Sequence, residues 1–225
     1  MSEAEDVPEL VPAATVIVVR DGDDGVETLL LRRNSKLGFG GGAWVFPGGR
    51  VDDADRVAGE AEEEWARRAA VREAAEEAGI ALERDELVPF AHWTPPEAQV
   101  KRFSTWFFLA PALLTDVEID GGEIVDHFWA RPADALGRHA AGEVELLPPT
   151  WVTLDFLSRH DDVATTLADA ADTPVSTFIT KFVTVDGQTV AMWAGDAGYE
   201  AGDPTIAGAR HRLHITGLPW RYERE

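Results

Sequence analysis

A chain of 225 residues with 45% apolar content can bury one substantial core, as a single domain or as one domain with an extension. Twenty basic against forty-one acidic residues give a net charge of −21, which argues against a nucleic-acid backbone or an anionic membrane surface as the main partner. The absence of Cys excludes disulfides and thiolate chemistry, and the acidic start lacks the basic-then-apolar pattern of a signal peptide, so the chain reads as cytoplasmic.

Two apolar runs, Ala13 to Arg20 (AATVIVVR) and Glu27 to Arg33 (ETLLLRR), flank the turn signal DGDDG and predict a β-hairpin. A glycine-rich stretch follows, with four glycines between Gly38 and Gly42, and leads into a short strand over Trp44 to Phe46 that stops at Pro47. Because a strand and not a helix follows Gly38, a dinucleotide-binding loop is disfavoured. The acidic run from Arg50 breaks the apolar periodicity and predicts a solvated loop, after which alanine and glutamate favour a helix from about Glu60 to Ala78, ended by Gly79.

Further strands are expected within Glu86 to Pro96, within Arg102 to Ala112 with both faces buried, and over Glu123 to Ala130, followed by a short helix over RPADALGRHAAG. The apolar stretch FSTWFFLAPALL is too short to cross a bilayer. Beyond Leu147 a helix should place Trp151, Leu154 and Leu157 on one face, and TFITKFVTVDGQTVAMWAG reads as two strands joined at Asp186-Gly187. His211 and His214 fall on opposite faces of an expected strand, which disfavours a shared metal. The pattern is α+β with a mixed sheet: a core over residues 10–145 and an extension over 146–225 carrying a helix and a β-hairpin.

The helix ending at Gly79 carries the chemistry. At about 100° per residue, Glu73, Glu76 and Glu77 share one side with Arg72 beside Glu76, while Val71, Ala74, Ala75 and Ala78 form the opposite, packing side. Carboxylates at the negative end of a helix repel one another and its dipole, and a hard divalent cation, Mg²⁺ or Mn²⁺, would relieve both. An ordinary solvated face is the alternative, since glutamate is a good helix former.

REAAEEAGI, from Arg72 to Ile80, with FPGG, from Phe46 to Gly49, resembles the signature of the Nudix hydrolases, although nine extra residues separate Gly49 from Arg72 and Ala74 is smaller than the usual apolar residue. Asp55, Glu60, Glu63 and Glu64 are all candidates for the first signature glutamate. The interrupted signature, with HWTPPEAQVKRFSTWFFLA, LLPPTWVTLDFL and GARHRLHITGLPWRYER, is similar to the branch that includes the peroxisomal coenzyme A diphosphatases.

That resemblance implies an α/β/α sandwich and metal-dependent hydrolysis of a diphosphate in a nucleotide-derived small molecule. Coenzyme A or an acyl-coenzyme A leads the substrate classes, with ADP-ribose or a dinucleotide next and a non-catalytic ligand-binding protein of the same fold as the alternative. It implies Arg72, Glu73 and Glu76 as catalytic residues, and Glu73, Glu76, Glu77 and the Gly49 carbonyl as metal ligands. Glu97 and Glu123 join Glu73 and Glu76 as general-base candidates; both also read as solvated surface acids. Arg33, Lys36, Lys101 and Arg102 are cations in an acidic chain and, with Glu97 and Glu123, complete the candidate substrate-binding set. Trp44, Trp93 and Trp106 are either base-stacking or core residues. Residues 146–225 serve as packing, as a homodimer surface or as part of the pocket.

Overall fold

The computed structural model describes residues 8–38, 40–112 and 116–225. The glycine-rich loop and the apolar run after Phe107 are therefore described apart from Phe39 and from residues 113–115. The strands are β1 (Leu10–Gly22), β2 (Gly25–Arg33), β3 (Trp44–Val45), β4 (Gly48–Arg50), β5 (Val88–Thr94), β6 (Arg102–Pro111), β7 (Ile124–Ala130), β8 (Ser176–Ile179), β9 (Lys181–Val185), β10 (Gln188–Met192), β11 (His211–His214) and β12 (Arg221–Arg224). The helices are α1 (Glu62–Ala78), α2 (Pro132–Ala140), α3 (Pro148–Leu157) and α4 (Val163–Asp172).

Eight strands form one mixed sheet in the order β3-β2-β1-β6-β5-β8, with β4 paired to β1 and β7 to β2. The β1–β6 and β5–β8 pairs are parallel, and the other pairs are antiparallel. Strand β1 is buried on both sides, and its alternation divides the core. Val16 and Val18 face one layer with Leu29, Leu31 and Phe108, and α1 covers it. Ile17 and Val19 face the other with Leu30, Phe107 and Leu109, beneath α2, α3 and α4.

Alanines make the first layer possible. Ala66, Ala69, Ala70, Ala74 and Ala78 repeat at helical spacing along α1 and are buried without large side chains, so the helix lies close against the sheet. Gly79 ends it in the left-handed conformation, φ 66°, where its N–H bonds the Ala75 carbonyl at 3.1 Å. Ala70→Leu should cost about 1–3 kcal/mol by overpacking that interface, read as a lowered urea midpoint with an unchanged slope.

Several elements differ from the sequence expectation. Ala75 is exposed on α1, and Glu77 takes a buried position instead. Arg50, where the solvated loop was expected to start, still belongs to β4, since Gly48 to Arg50 pair with Thr15 to Ala13. Helix α4 was not foreseen: its start is marked by Asp162, whose side chain accepts the Thr165 N–H at 2.7 Å, but its apolar residues are mostly alanine. The expected two strands after Val175 are three, because the run divides at Thr180, where the chain leaves the large sheet for a second one. That four-stranded sheet, β12-β11-β10-β9, replaces the expected hairpin. Its β9–β10 turn does lie at Asp186-Gly187, both with positive φ. Among the described residues no helix is long and apolar enough to cross a membrane.

Candidate active site

Strand β4 brings its backbone into contact with the end of α1. A Cβ on Gly48 would strike the Ala14 carbonyl and the Thr15 hydroxyl, and one on Gly49 would strike the Glu73 carboxylate. These positions need glycine for close approach, with no demand on backbone φ. Gly49→Ala should therefore displace Glu73 and lower kcat by about a hundredfold or more while the circular dichroism spectrum stays unchanged.

Arg72 organises the acids around this point. Its Nη1 donates to Glu73 Oε1 at 2.9 Å and to Glu76 Oε2 at 3.0 Å, and its Nη2 donates to Asp55 Oδ2 and to the Arg50 carbonyl, both at 2.9 Å. Asp55 sits at the end of a short turn and is 5% exposed. Its Oδ2 also accepts the Asp52 N–H at 2.9 Å. Of the four acids left open by the stretched spacing, Asp55 is the one that meets Arg72. Glu60 pairs with Arg68 at 2.5 Å, Glu63 pairs with Arg67 at 2.8 Å, and Glu64 approaches Arg67 at 3.7 Å.

The three glutamates differ in environment. Glu76 is the exposed member of the set, with 59% of its side chain open to solvent. Burial raises the Glu73 pKa; the Arg72 hydrogen bond opposes this, and the Glu76 and Glu123 charges add to it. Burial pushes Glu77 up to about 8, against the Gly48 N–H that it accepts at 2.9 Å and with the Glu73 and Glu123 charges adding to the rise. Glu77 is thus not part of an outward-facing cluster, as the helical wheel suggested; it faces β4 from beneath. For Arg72 burial alone would lower the pKa, but the hydrogen bonds and charges of Asp55 and Glu73 raise it, which secures the positive charge.

Strand β4 and the outer face of the end of α1 border a cleft of about 720 Å³, with Asp55 and Glu77 outside its lining. Gly49, Arg72, Glu73, Glu76, Arg33, Glu123 and Lys101 all line it. Arg33 Nη2 donates to Glu123 Oε1 at 2.6 Å, while its buried Nε has no partner among the described residues. Trp93 lines the cleft as well, stacked on Phe178 at 3.9 Å with its indole N–H unpartnered.

The structure does not bring the other candidates to the cleft. Arg102 is 8% exposed and donates to the Pro8 and Pro95 carbonyls, so it fastens the start of β1 to the loop after β5. Lys36 follows a turn in which the Asn34 side chain accepts its N–H, and it is exposed outside the lining, as is Glu97. Trp44 packs against Phe128 in the core, and Trp106 stacks on His92 away from the cleft.

Sequence reasoning missed Arg50 and Asp52 at the acidic end, and Gln99, Phe103, Thr180 and Phe182 elsewhere in the lining. Arg50 follows directly on the FPGG run, which could have pointed to it; Thr180 and Phe182 carry no local signal.

Among the described residues, no three acidic or histidine side chains converge as preformed metal ligands. Arg72 draws Glu73 and Glu76 to itself, and the Gly48 N–H holds Glu77. The donors are nevertheless all oxygen, and the space beside Gly49 that a Cβ would fill adjoins the Glu73 carboxylate. That donor set suits a hard divalent cation once Glu73 and Glu76 turn part of their charge from Arg72.

The family profile described as NUDIX domain matches residues 9–149. No curated protein sequence matches closely enough to count as a relative. Among solved structures, a NUDIX hydrolase from Alicyclobacillus acidocaldarius is 24% identical, with a TM-score of 0.66 over 75% of this chain and 100% of that one. The NUDIX domain of Shewanella oneidensis NrtR, crystallised with ADP ribose, is 16% identical, with a TM-score of 0.52 over 70% of this chain and 92% of that one. At these identities the likeness is one of fold.

Proposed function

This chain belongs to the Nudix hydrolase family, and from that premise we propose that it hydrolyses the diphosphate of a nucleoside diphosphate joined to a second group, X. We take residues 10–145 as the catalytic core and 146–225 as an extension that completes the cleft. Coenzyme A and acyl-coenzyme A compounds are the leading substrates; ADP-ribose, the ligand of the Shewanella neighbour, and dinucleotides come next.

The observation that carries the reading is the floor of the cleft, where Arg72 holds Glu73 and Glu76 beside the side-chain-free Gly49. Nudix hydrolases generally use divalent metals, and here Glu73, Glu76 and the Gly49 carbonyl would hold Mg²⁺ or Mn²⁺, with Glu77 behind them. A bound cation neutralises diphosphate charge and lowers the pKa of water.

The chain's own groups do the rest. Asp55 and the Arg50 carbonyl fix the guanidinium of Arg72, which in turn orients both glutamates. Arg33, which lines the cleft, brings a guanidinium charge to the phosphates. Glu123, paired with its neighbour Arg33, accepts the proton as water attacks phosphorus and the bridging P–O bond breaks. The products are a nucleoside monophosphate and phosphorylated X, or the reverse, according to which phosphorus is attacked.

Incubation with a panel of coenzyme A esters, ADP-ribose and dinucleotides, at millimolar Mg²⁺ or Mn²⁺, should release phosphorylated adenylate products. No turnover of any diphosphate with either metal would contradict the reading.

A further inference from the structure

The cleft runs across the large sheet. Its acidic end lies at β4, which pairs with β1; the lining then crosses β6 and β5 and reaches Thr180, just past β8. Four strand spacings correspond to roughly 19 Å, more than a diphosphate alone can span. Toward β8 the character changes from acidic to apolar: Phe103 lines the cleft from β6, Pro95, Pro96 and Phe182 line it further on, and Lys101 is the charged residue just before β6.

Phe182 is placed there by the small sheet. It is the cross-strand partner of Ala191, which pairs with Leu213, which pairs with Tyr222, so the four side chains form one row on one face. Ala191 and Leu213 are fully buried and Tyr222 packs against the same core. The row continues to the edge strand β9, where Phe182 passes beyond the core and is left 41% exposed at the cleft. Two residues earlier, Thr180 is held at both ends: its N–H bonds the Thr94 carbonyl at 2.9 Å, and its hydroxyl accepts the Trp193 indole N–H at 3.0 Å. An aromatic ring on an anchored strand, open on its cleft side, is suited to covering an apolar ligand surface.

We infer that Phe182 is a specificity-determining residue that selects substrates whose X group is a long arm ending in an apolar chain. This rests on the proposed reaction for the position of the diphosphate, at Gly49 and Glu73. The segment beyond residue 150 thereby sets which diphosphates are taken, while the matched family region supplies the chemistry.

The test uses binding, which stands apart from turnover. Non-hydrolysable methylene-diphosphonate analogues of adenosine diphosphate, esterified with methyl, hexyl or dodecyl chains, are titrated calorimetrically with Mg²⁺ into the wild-type chain, F182A and F182L. Affinity should rise with chain length for the wild type. F182A should lose about tenfold for the dodecyl ester and less than about twofold for the methyl ester, with F182L intermediate. Equal losses across the series, as when the adenine base rests on Phe182, would overturn the inference, as would no loss at all. The hydrolysable esters, assayed in parallel, address the reaction: no turnover with retained chain-length dependence would sink the catalytic reading and leave the apolar subsite standing.

Discussion

Glu76→Gln should lower kcat by at least about a thousandfold and leave the melting temperature within a degree or two of the wild type. The two outcomes separate because Glu76 is largely exposed and, among the described residues, pairs only with Arg72, whose partners Asp55, Glu73 and the Arg50 carbonyl stay in place. Exposed i,i+4 pairs contribute only about 0.3–0.5 kcal/mol, so folding loses little. A carboxylate that holds a cation beside a diphosphate contributes far more, because its charge acts on charge that develops during the reaction. Steady-state kinetics with Mg²⁺ and a thermal melt check both halves. Unchanged hydrolysis would remove Glu76 from the reaction; hydrolysis absent from the wild type too would favour a ligand-binding protein of the same fold.

Asp196→Asn should produce the largest loss of stability, roughly 3–5 kcal/mol, by leaving a buried guanidinium without its counter-charge. Asp196 has no exposed side-chain surface, and Arg212 has 4%. Arg212 donates to both carboxylate oxygens at 2.6 Å, and the His211 and Gly198 N–H groups donate at 2.9 and 2.8 Å. This pair ties β11 to the loop after β10, and through the small sheet it supports Phe182.

The same contacts give a pH signature. Burial alone would raise the Asp196 pKa, but the Arg212 hydrogen bonds and the two backbone donors more than reverse it and hold the carboxyl below the usual carboxylate range. Since the folded pKa lies below the unfolded one, the stabilisation is complete above about pH 4 and is lost as the pH falls further. Urea midpoints measured from pH 6 down to pH 3 should decline steeply for the wild type below about pH 4. The decline should be shallower for Asp196→Asn, which starts lower.

Much of the core was legible because its residues signal locally. The β-branched run of β1, the DGDDG turn before β2, and Gly79 at the end of α1 each report their own conformation. The pairing of Arg72 with Glu76 was legible for the same reason, since helix spacing fixes which side chains can meet, whereas Gly49 was singled out only by resemblance to the Nudix signature. What helix spacing could not fix was the sheet's position. It placed Glu77 among outward carboxylates, whereas close packing of the alanine face turns Glu77 toward Gly48.

The acid that meets Arg72 was hidden by the length of the connection. Asp55 reaches Arg72 only because a turn over Asp53–Asp55 folds back along α1, and nothing within that acidic run separates it from its neighbours. Arg102 failed as a substrate cation for a related reason. A cation in an acidic chain reads as a phosphate ligand until its buried backbone acceptors are known. Phe182 depended on which residues of β9, β10, β11 and β12 share a row across the small sheet, which is a tertiary property.

Anomalous diffraction from crystals soaked with Mn²⁺ and a non-hydrolysable diphosphate tests the central claim most directly. The account predicts manganese bound to Glu73 and Glu76 beside the Gly49 carbonyl, at oxygen distances of about 2.0–2.3 Å, with the diphosphate completing its shell. A cleft that takes the diphosphate with no anomalous peak at those glutamates, at millimolar Mn²⁺, would contradict it.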